Sequence, residues 1–359
     1  MYDLAIIGAG PAGATLARAM GRQMKVLLID KRENLAAGSP GKCCGGLLAP
    51  DAQKMLARMG VALPREVLVG PQIFAVRAID LAAGRERFYQ RFYINIDRGK
   101  FEQWLISLVP PAVEIRLGCR LTGLKGDSGS YRLCLYRSGG RETVQARAVV
   151  GADGASSAVR RLAFPDTPGP RRYLALQEWL QAGEALPHFS AIFDPAITDF
   201  YAWTIPKGET LLLGAALAPG KDAAAKFTLL KEKLEPYGYR LKRVIRKESA
   251  LILRPRPGKI FTGRESILLI GEAAGWISPS SAEGLSYAFA GALLAAKALS
   301  GGLPAAAAAY RKLAAPLFRN ILLKNMKAPF IYNPLLRRLI MGSGLASMEI
   351  DLECPFRNN

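Results

Sequence analysis

The stretch that decides the fold is Asp3-Leu4-Ala5-Ile6-Ile7-Gly8-Ala9-Gly10-Pro11-Ala12-Gly13. Its apolar half predicts a buried strand, and its glycine-rich half predicts a turn that leads into a helix at Ala14–Met20. In a G-x-G-x-x-G turn the first glycine permits the bend, the second lets the backbone approach a pyrophosphate, and the third lets helix and strand pack closely. Because the helix N-terminus stabilises negative charge, the stretch predicts a dinucleotide-binding unit.

An acidic residue after the second strand supports this prediction. Lys25–Asp30 has the pattern of a buried strand, and Asp30 follows Gly10 by 20 residues. A carboxylate at that place accepts hydrogen bonds from a ribose, so Asp30 and its neighbour Lys31 are predicted to contact the cofactor. The turn does not choose between NAD and FAD, because both present an ADP half to it.

Two later segments repeat the passage from a strand into a helix with an acidic residue and a glycine at the turn. They are VVGADGASSAVRR at Val149–Arg161 and LLIGEAAG at Leu268–Gly275. Their turns contain Asp153, Gly154, Gly271 and Glu272. The second carboxylate is predicted to hold ribityl or ribose hydroxyls. Three such elements spread over the chain suit one extended dinucleotide, and we therefore predict FAD as the cofactor.

The patterning predicts an α/β fold in which a Rossmann-type FAD-binding domain is interrupted by a second domain. Strand patterns at Ile73–Ile96, and alternating aromatic and polar residues at Pro165–Pro257, predict an inserted antiparallel-sheet substrate domain. Ala305–Ala346 is helical in pattern, and its three prolines are predicted to cut it into a cap of short helices. The predicted boundaries are 1–65, 97–164 and 258–303 for the FAD-binding domain, 66–96 and 165–257 for the substrate domain, and 304–359 for the C-terminal helical segment.

Composition narrows the function classes. The 359 residues include 49 basic and 29 acidic side chains, a formal net charge of +20. The single histidine, His188, excludes His-based triads and histidine metal clusters, and beside Pro187 it is predicted to lie in a loop without a chemical role. No two cysteines form a C-x-x-C pair, so neither a metal site nor a disulfide framework is predicted. The cysteines are Cys43, Cys44, Cys119, Cys134 and Cys354.

The three nucleotide elements together resemble the two-dinucleotide-binding-domain flavoproteins with the para-hydroxybenzoate hydroxylase fold, and within them the geranylgeranyl reductase branch. KCCGGL at Lys42–Leu47 is similar to the K-x-CGG element of that branch, and YAWTIPK at Tyr201–Lys207 is similar to its YxWxFPK element. Gly271–Gly284 is similar to its GDAAG...P...EG element, with Glu272 where the branch has aspartate. The resemblance runs from Met1 to about Met348.

Longer strings resemble the CbrA group, bacterial proteins named for colicin M resistance. They are LLAPDAQ at Leu47–Gln53, FYINI at Phe92–Ile96 and IGEAAGWISPSSAEGLSYA at Ile270–Ala288. This resemblance implies a soluble, FAD-dependent oxidoreductase with a link to polyprenyl lipids.

The resemblance also implies roles for residues outside the nucleotide elements. Arg98 matches the arginine that this fold places at the FAD pyrophosphate and ribose, where a bidentate donor suits a diphosphate. Cys44, beside Gly45 and Gly46, would lie close to the flavin. Backbone donors for the flavin ring would come from the head of the apolar helix, at Gly284 and Leu285. Tyr201 and Trp203 would line the substrate tunnel.

These observations predict an FAD-dependent oxidoreductase that reduces C=C bonds of a prenyl or isoprenoid lipid, or of a similar apolar substrate. An isolated alkene requires protonation together with hydride transfer from the flavin, and Cys44 and Tyr201 are the predicted acids, with water or Glu283 as alternatives. Trp203 completes the predicted catalytic set. Two other functions stay open. Tyr201–Pro206 also resembles the WxWxIP element of flavin-dependent halogenases, so one is an aromatic monooxygenase or halogenase. The other is a lipid-binding resistance protein that holds FAD structurally.

The sequence also bears on the electron donor, on membrane contact and on nucleic-acid binding. The predicted electron donor is either NADPH or the electron-donor protein ferredoxin. Charge is concentrated near the C-terminus, because Gly284–Met348 contains no acidic residue. This segment predicts contact with an anionic membrane face, where a prenyl lipid substrate would reside, or else a solvated basic cap. No nucleic-acid motif is present, so nucleic acid is not predicted. A cytoplasmic location is predicted, with peripheral attachment to the inner face of the membrane.

Overall fold

The computed structural model describes residues 1–33, 43–127, 129–181, 187–241 and 243–348. The chain forms two compact units. The first consists of Met1–Leu68, Ile96–Tyr173 and Leu251–Lys327, and the second of Val69–Asn95, Leu174–Ala250 and the chain from Ala328 onward.

The strands, in chain order, are β1 Tyr2–Ile7, β2 Val26–Ile29, β3 Leu47–Leu48, β4 Ile73–Asp80, β5 Arg85–Asn95, β6 Glu114–Arg116, β7 Arg120–Asp127, β8 Ser130–Arg137, β9 Gly140–Gly151, β10 Arg171–Gln181, β11 His188–Phe193, β12 Ala202–Lys207, β13 Thr210–Leu217, β14 Val244–Arg254, β15 Gly263–Arg264 and β16 Ile267–Leu269. The helices are α1 Pro11–Met20, α2 Pro50–Arg58, α3 Arg98–Ser107, α4 Ala158–Ala163, α5 Ala223–Leu234, α6 Leu285–Ser300, α7 Ala306–Leu313, α8 Ala315–Tyr332 and α9 Pro334–Ser343.

The first unit is built on a parallel sheet in the order β16-β9-β1-β2-β6. Leu4 of β1 lies opposite Val26 of β2 and Ala148 of β9, and all three side chains are buried. Strands that are buried on both faces consist of continuous apolar runs, which is why the sequence predicted them. Strands β7 and β8 extend the sheet antiparallel from β9. The structure confirms the predicted Rossmann-type core.

Helices α6 and α7 and the first part of α8 belong to this unit. Trp276 is fully buried, donates a hydrogen bond from Nε1 to Tyr310 Oη at 3.0 Å, and packs its ring against Phe318 with the centroids 4.7 Å apart. Part of the predicted C-terminal segment 304–359 falls within this unit. Its beginning clusters with the first unit through these contacts, and the chain from Ala328 onward clusters with the second unit.

The second unit contains a sheet in the order β14-β10-β13-β12-β11-β4-β5. Its neighbours pair antiparallel, as predicted, with one exception among the registers described: β4 and β11 are parallel. A parallel pair requires a crossover connection, and the chain passes through the first unit between these two strands. Helix α5 covers one face of the sheet, where Phe227, Leu230 and Leu234 join a core with Leu213 and Ala215.

The C-terminal helices differ from the prediction at one proline. Pro329 lies inside α8, which continues to Tyr332, so the predicted break there is wrong. Loss of one N–H does not end a helix whose later turn is closed, and the N–H of Asn333 donates to the carbonyl of Pro329 at 2.8 Å. Asn333 then caps α9 by accepting hydrogen bonds from Leu335 and Leu336.

His188 also differs from the prediction. It begins strand β11, is 5% exposed, and packs edge-on against Phe88 with the ring centroids 5.5 Å apart. The predicted loop position is therefore wrong. Over the described ranges, no helix combines the length and the hydropathy that a membrane span requires.

Candidate cofactor and substrate sites

The phosphate loop has the predicted geometry. Gly8 adopts a φ of +105° and donates its N–H to the carbonyl of Ile29 at 2.7 Å, which joins β1 to β2. Helix α1 begins at Pro11 after Gly10, and no side chain of the described residues caps this end. The first-turn N–H groups therefore point at an open helix N-terminus that suits a phosphate.

The three glycines differ in the space around them. A Cβ on Gly13 would lie 1.8 Å from the carbonyl oxygen of Gly8, and one on Gly8 would lie 2.5 Å from the carbonyl oxygen of Ala152. A Cβ on Gly10 meets no described atom within 4 Å. Close packing therefore requires the first and third glycines, whereas Gly10 faces free space that a ligand can enter. Ala9 and Ala12 are buried in the loop.

Asp30 is 7% exposed and is already hydrogen-bonded within the protein. It accepts a hydrogen bond from the N–H of Ala9 in the phosphate loop at 2.7 Å, and Arg32 donates to both of its oxygens at 3.0 Å. The neighbouring Lys31 is exposed. The carboxylate thus ties the end of β2 to the loop, and Arg32 is the basic residue that contacts it.

A charged network continues from Asp30 to Arg98. Arg32 donates to one oxygen of Glu102, and Arg98 donates to the other from Nε at 3.0 Å and from Nη2 at 2.6 Å. Although burial favours the neutral form of Glu102, the two arginines lower its pKa to about 2. The carboxylate therefore stays ionised and orients both guanidinium groups.

The predicted flavin-side residues of the K-x-CGG element lie beside this network. Arg98 Nη1 lies 3.8 Å from the sulfur of Cys44, which is partly exposed. Gly46 has a φ of +61° and accepts a hydrogen bond at its carbonyl from the N–H of Ile96 at 2.9 Å. Gly45 lies between Cys44 and Gly46 in the sequence, and Lys42 falls outside the described residues.

Asp153 shapes its own turn. Its Oδ2 accepts hydrogen bonds from the N–H groups of Ala158 and Val159 at 2.6 and 3.2 Å, which holds the start of α4, and Gly154 has a φ of +74°. Burial raises the pKa of Asp153, and its Oδ1 has no hydrogen-bond partner in the part of the chain that the structure describes. That oxygen is available to a ligand hydroxyl.

The Gly271 turn packs against the phosphate loop. Gly271 has a φ of +54°, and a Cβ there would lie 3.1 Å from the Cβ of Ala12. Glu272 accepts a hydrogen bond at Oε1 from the N–H of Leu253 at 3.0 Å. The side chain of Glu272, one methylene longer than aspartate, thus reaches the end of β14. Its carboxylate already accepts a hydrogen bond from the protein, beside any bond that it makes to a cofactor hydroxyl.

The head of α6 carries a carboxyl group with an unusual environment. Gly284 is the N-cap residue and Leu285 begins the helix. Glu283 accepts hydrogen bonds from the N–H and the hydroxyl of Ser286 at 2.7 and 2.5 Å. Burial nevertheless raises the pKa of Glu283. It is therefore the described carboxyl at this helix end that retains a proton most readily.

The predicted substrate residues belong to the second unit. Tyr201 precedes β12, and its ring centroid lies 5.3 Å from that of Trp203 and 5.1 Å from that of Phe200. Trp203 is 7% exposed, and its Nε1 has no hydrogen-bond acceptor among the described residues. Tyr332 of α8 packs against Phe200 at 5.3 Å. The structure thus joins the two predicted aromatic residues to a larger cluster.

Two functional candidates escaped the sequence analysis. Arg32 and Glu102 connect Asp30 to Arg98, although nothing marks them in a single linear motif. The spacing of Arg98 and Glu102, four residues apart on a helix that follows an Asp97 cap, was the pattern that could have indicated the pair. The described residues contain no cluster of metal-ligating side chains.

The first unit therefore fits a dinucleotide. Among the described residues it combines an uncapped helix N-terminus, open space at Gly10, an Asp153 oxygen without a partner and two arginines that Glu102 orients. Together with the second unit's sheet, this defines the class: a two-unit flavoprotein fold of the para-hydroxybenzoate hydroxylase type. Comparison with solved structures confirms this fold. A geranylgeranyl bacteriochlorophyll reductase-like protein from Thermoplasma acidophilum matches with a TM-score of 0.79 at 20% identity, covering 94% of this chain and 90% of that chain.

A probable FAD-dependent monooxygenase from Pseudomonas aeruginosa matches with a TM-score of 0.68 at 18% identity, covering 96% of this chain and 99% of that chain. The sequence comparisons are more specific. Protein CbrA of Escherichia coli O6:H1 is 40% identical over 357 residues, which is 99% of this chain and 97% of the relative. The chain belongs to the lycopene cyclase protein family, whose model matches residues 3–320, and within it to the CbrA group.

Proposed function

We propose that the protein binds one FAD in its first unit and is an FAD-dependent oxidoreductase that reduces C=C bonds of a prenyl or isoprenoid lipid. The observation that carries the FAD proposal is the contrast between the three loop glycines. Two are required by packing, and the third, Gly10, faces free space at an uncapped helix end. Packing alone gives no reason for that glycine, whereas close approach of a pyrophosphate does.

The arginines complete the cofactor site in this proposal. Arg98 and Arg32 would turn toward the diphosphate, since Glu102 holds both guanidinium groups beside the loop. Asp30 and Asp153 would accept hydrogen bonds from ribose and ribityl hydroxyls. Backbone N–H groups at Gly284 and Leu285 would face the flavin ring.

The proposed substrate class rests on the comparisons and on the aromatic cluster of the second unit. The family description names lycopene and one structural neighbour is described by geranylgeranyl, so both names point to isoprenoids. The aromatic cluster around Tyr201 offers the apolar lining that such a chain requires.

Reduction of an isolated alkene requires a proton as well as the hydride that a reduced flavin supplies. We assign the proton to Glu283, because burial keeps it protonated to higher pH than an ordinary carboxyl group. Cys44 and Tyr201 remain the other acids in this proposal. The sign of the pH effect follows: activity falls as pH rises through the pKa of Glu283.

The test begins with purified protein. Bound FAD would be identified by its absorption and by mass spectrometry after release, and co-purified lipid would be analysed before and after anaerobic reduction and turnover. Loss of a double bond, seen as a gain of two hydrogen atoms, supports the reductase. In single-turnover experiments, the rate of the Glu283→Gln variant should no longer fall as pH rises through the pKa of Glu283. A pH profile that matches the wild type would exclude Glu283 as the proton donor.

A second candidate is a flavin-dependent monooxygenase or halogenase. It is favoured by two solved structures, a flavin-dependent brominase and the probable FAD-dependent monooxygenase, whose folds match 96% of this chain with TM-scores of 0.69 and 0.68. Oxygen separates the two functions, since a reductase converts its substrate anaerobically and a monooxygenase does not.

The lipid-binding resistance protein is the third candidate. Because FAD is structural in this candidate, it predicts that variants without flavin lose the resistance phenotype independently of substrate, whereas the phenotype of an enzyme depends on turnover of its substrate. The electron donor, NADPH or ferredoxin, would be identified by the rate of flavin reduction with each. The cytoplasmic location stays a prediction.

A further inference from the structure

The second unit's sheet contains an unexplained polar row on the face opposite α5. In the strand registers Gln177 of β10 lies opposite Gly214 of β13, and Gly214 lies opposite Trp203 of β12. Cross-strand partners point to the same face, so these three positions share one face. Their neighbours in register, Leu213 and Ala215, belong to the core under α5, which places the row on the opposite face.

The indole of Trp203 lies over Gly214. A Cβ on Gly214 would be 2.4 Å from Nε1 of Trp203, so the glycine leaves the room that this edge of the ring occupies. The N–H edge thus extends from β12 over β13, the strand that separates it from Gln177.

Three hydrogen-bonding atoms in this row have no partner within the described part of the chain. Gln177 is 2% exposed, and both its Oε1 and its Nε2 lack a hydrogen-bond partner among the described residues, as does Nε1 of Trp203. Buried polar atoms in this number are costly when they are left unpaired, because each has lost its hydrogen bonds to water. A ligand atom that pairs with them is the physical reason for keeping glutamine rather than leucine at this position.

We propose that Gln177 and Trp203 bind the hydroxyl group of the substrate. The hydroxyl oxygen of the substrate accepts a hydrogen bond from the indole N–H of Trp203. The same hydroxyl group either donates a hydrogen bond to Oε1 of Gln177 or accepts a second one from Nε2. The row itself contains no charged side chain, so it suits an uncharged alcohol better than a diphosphate. This inference rests on the proposed function for the isoprenoid part of the substrate, which it narrows to prenyl alcohols.

Calorimetric titration of the oxidised holoprotein with geranylgeraniol, its methyl ether and its diphosphate tests the proposal. We expect the alcohol to bind most tightly. Gln177→Leu should weaken alcohol binding about tenfold and leave ether binding within about twofold. Gln181→Leu, an exposed position on the same strand, is the matched control and should change neither.

The outcomes distinguish two failures. Equal binding of all three compounds, or tightest binding of the diphosphate, overturns the hydroxyl site and leaves the proposed function standing. Absence of binding by any of them contradicts the proposed substrate class itself. If Gln177→Leu binds the alcohol like the wild type, the row holds only a buried water and the proposal is wrong.

A second, independent observation concerns α9, which buries a charged side chain and exposes apolar ones. Arg337 is 5% exposed, whereas Leu335 and Leu339, one turn apart, are 72% and 70% exposed. A helix at a water-facing surface normally shows the reverse. The buried guanidinium donates to Asp80 from Nε at 2.7 Å, so the sheet holds the helix with its leucines outward.

Basic side chains accompany these leucines. Arg85 of β5 and Arg338 line a groove together with Leu335, Leu339 and Gly342. A Cβ on Gly342 would lie 2.9 Å from Nη1 of Arg85, so the glycine admits the arginine beside the helix. The segment Gly284–Met348 contains no acidic residue to oppose this charge.

We infer that this face of α9 docks on a bilayer that contains anionic phospholipid. The leucines insert at the level of the headgroups, and Arg85 and Arg338 contact lipid phosphates. This inference goes beyond the proposed function and does not depend on the cofactor.

Co-sedimentation of the full-length holoprotein with vesicles of phosphatidylglycerol and phosphatidylethanolamine tests it, with phosphatidylcholine vesicles as the neutral comparison. We expect binding to the anionic vesicles at low salt, weakened about tenfold by Leu335→Ser/Leu339→Ser and about fivefold by Arg338→Gln. The matched controls are Ile245→Ser and Arg132→Gln, exposed residues elsewhere, which should change binding by less than about twofold.

Equal binding by wild type and the leucine variant, or no binding at low salt, overturns the docking face. Light scattering after size-exclusion chromatography provides the remaining outcome. A dimer that the leucine variant converts to a monomer would show that a second copy, and not a membrane, covers this face.

Discussion

Charge is arranged differently in the two units. In the first unit, Asp30, Arg32, Glu102 and Arg98 form a continuous chain of ion pairs beside a glycine loop that is open at one point. In the second unit, Asp80 and Arg337 form one enclosed pair, and the surroundings are aromatic. The first arrangement holds two guanidinium groups in a fixed orientation, which suits the binding of a diphosphate. The second surrounds its buried pair with aromatic side chains. This difference is the physical reason why our proposal places the diphosphate of FAD in the first unit.

The largest effect should come from the loop glycines. Gly13→Ala places a methyl group 1.8 Å from a carbonyl oxygen, so we expect a loss of stability of at least about 3 kcal/mol and of all bound FAD. Gly10→Ala meets no described atom within 4 Å, so the apoprotein should keep its Tm while FAD binding falls. Thermal melts and flavin content of both variants test this contrast. If Gly10→Ala binds FAD normally, the pyrophosphate does not approach that residue.

Glu102 tests the network. Glu102→Gln leaves two arginines partly buried without their shared counterion, and we expect a loss of about 3 kcal/mol at pH 7. Because the folded pKa of about 2 is below the ordinary value, the ionised form stabilises the native state above about pH 4.3. That stability is lost as pH falls toward 2.

Urea unfolding between pH 7 and pH 2 measures this component, which Glu102→Gln should lack. Folded Glu102→Gln should also bind FAD more weakly, since Arg98 is no longer oriented. Equal acid sensitivity in the variant and the wild type would show that other carboxyl groups dominate acid unfolding.

The enclosed pair of the second unit should respond differently. Arg337→Met leaves Asp80, which is 1% exposed, without its counterion and should cost about 3 kcal/mol. The double variant Asp80→Leu/Arg337→Met should recover most of that loss, because removing both charges also removes the desolvation cost. Chemical denaturation of the single and double variants tests this. Flavin content should stay normal throughout, and a parallel loss of FAD would break the distinction between the two units.

The smallest effect should come from the aromatic cluster. Tyr201→Phe keeps the ring contacts with Phe200 and Trp203, so we expect stability to change by about 1 kcal/mol or less and FAD binding to remain. If the hydroxyl is the acid, single-turnover reduction slows by at least about tenfold. An unchanged rate assigns Tyr201 to the lining alone and supports Glu283 as the proton donor.

The amino-acid sequence by itself determined the cofactor unit, because its geometry is local. Three features follow from neighbours along the chain. They are the backbone conformation of Gly8, the start of a helix at Pro11 and the place of Asp30 after a strand. Burial on both faces of β1 and β2 likewise appears as continuous apolar runs. These features need no knowledge of distant contacts, and the structure has them where the sequence predicted them.

Only the tertiary structure decided the rest, because it depends on residues that are far apart in the chain. Glu102 meets Arg32 across 70 positions, and Arg337 meets Asp80 across 257. The parallel pairing of β4 with β11 and the burial of His188 are set by packing and not by local preference. The row of Gln177, Gly214 and Trp203 exists only because strand register aligns three separate segments on one face. Local sequence therefore predicted the dinucleotide-binding loop, and strand register decided which side chains share one face of the second unit's sheet.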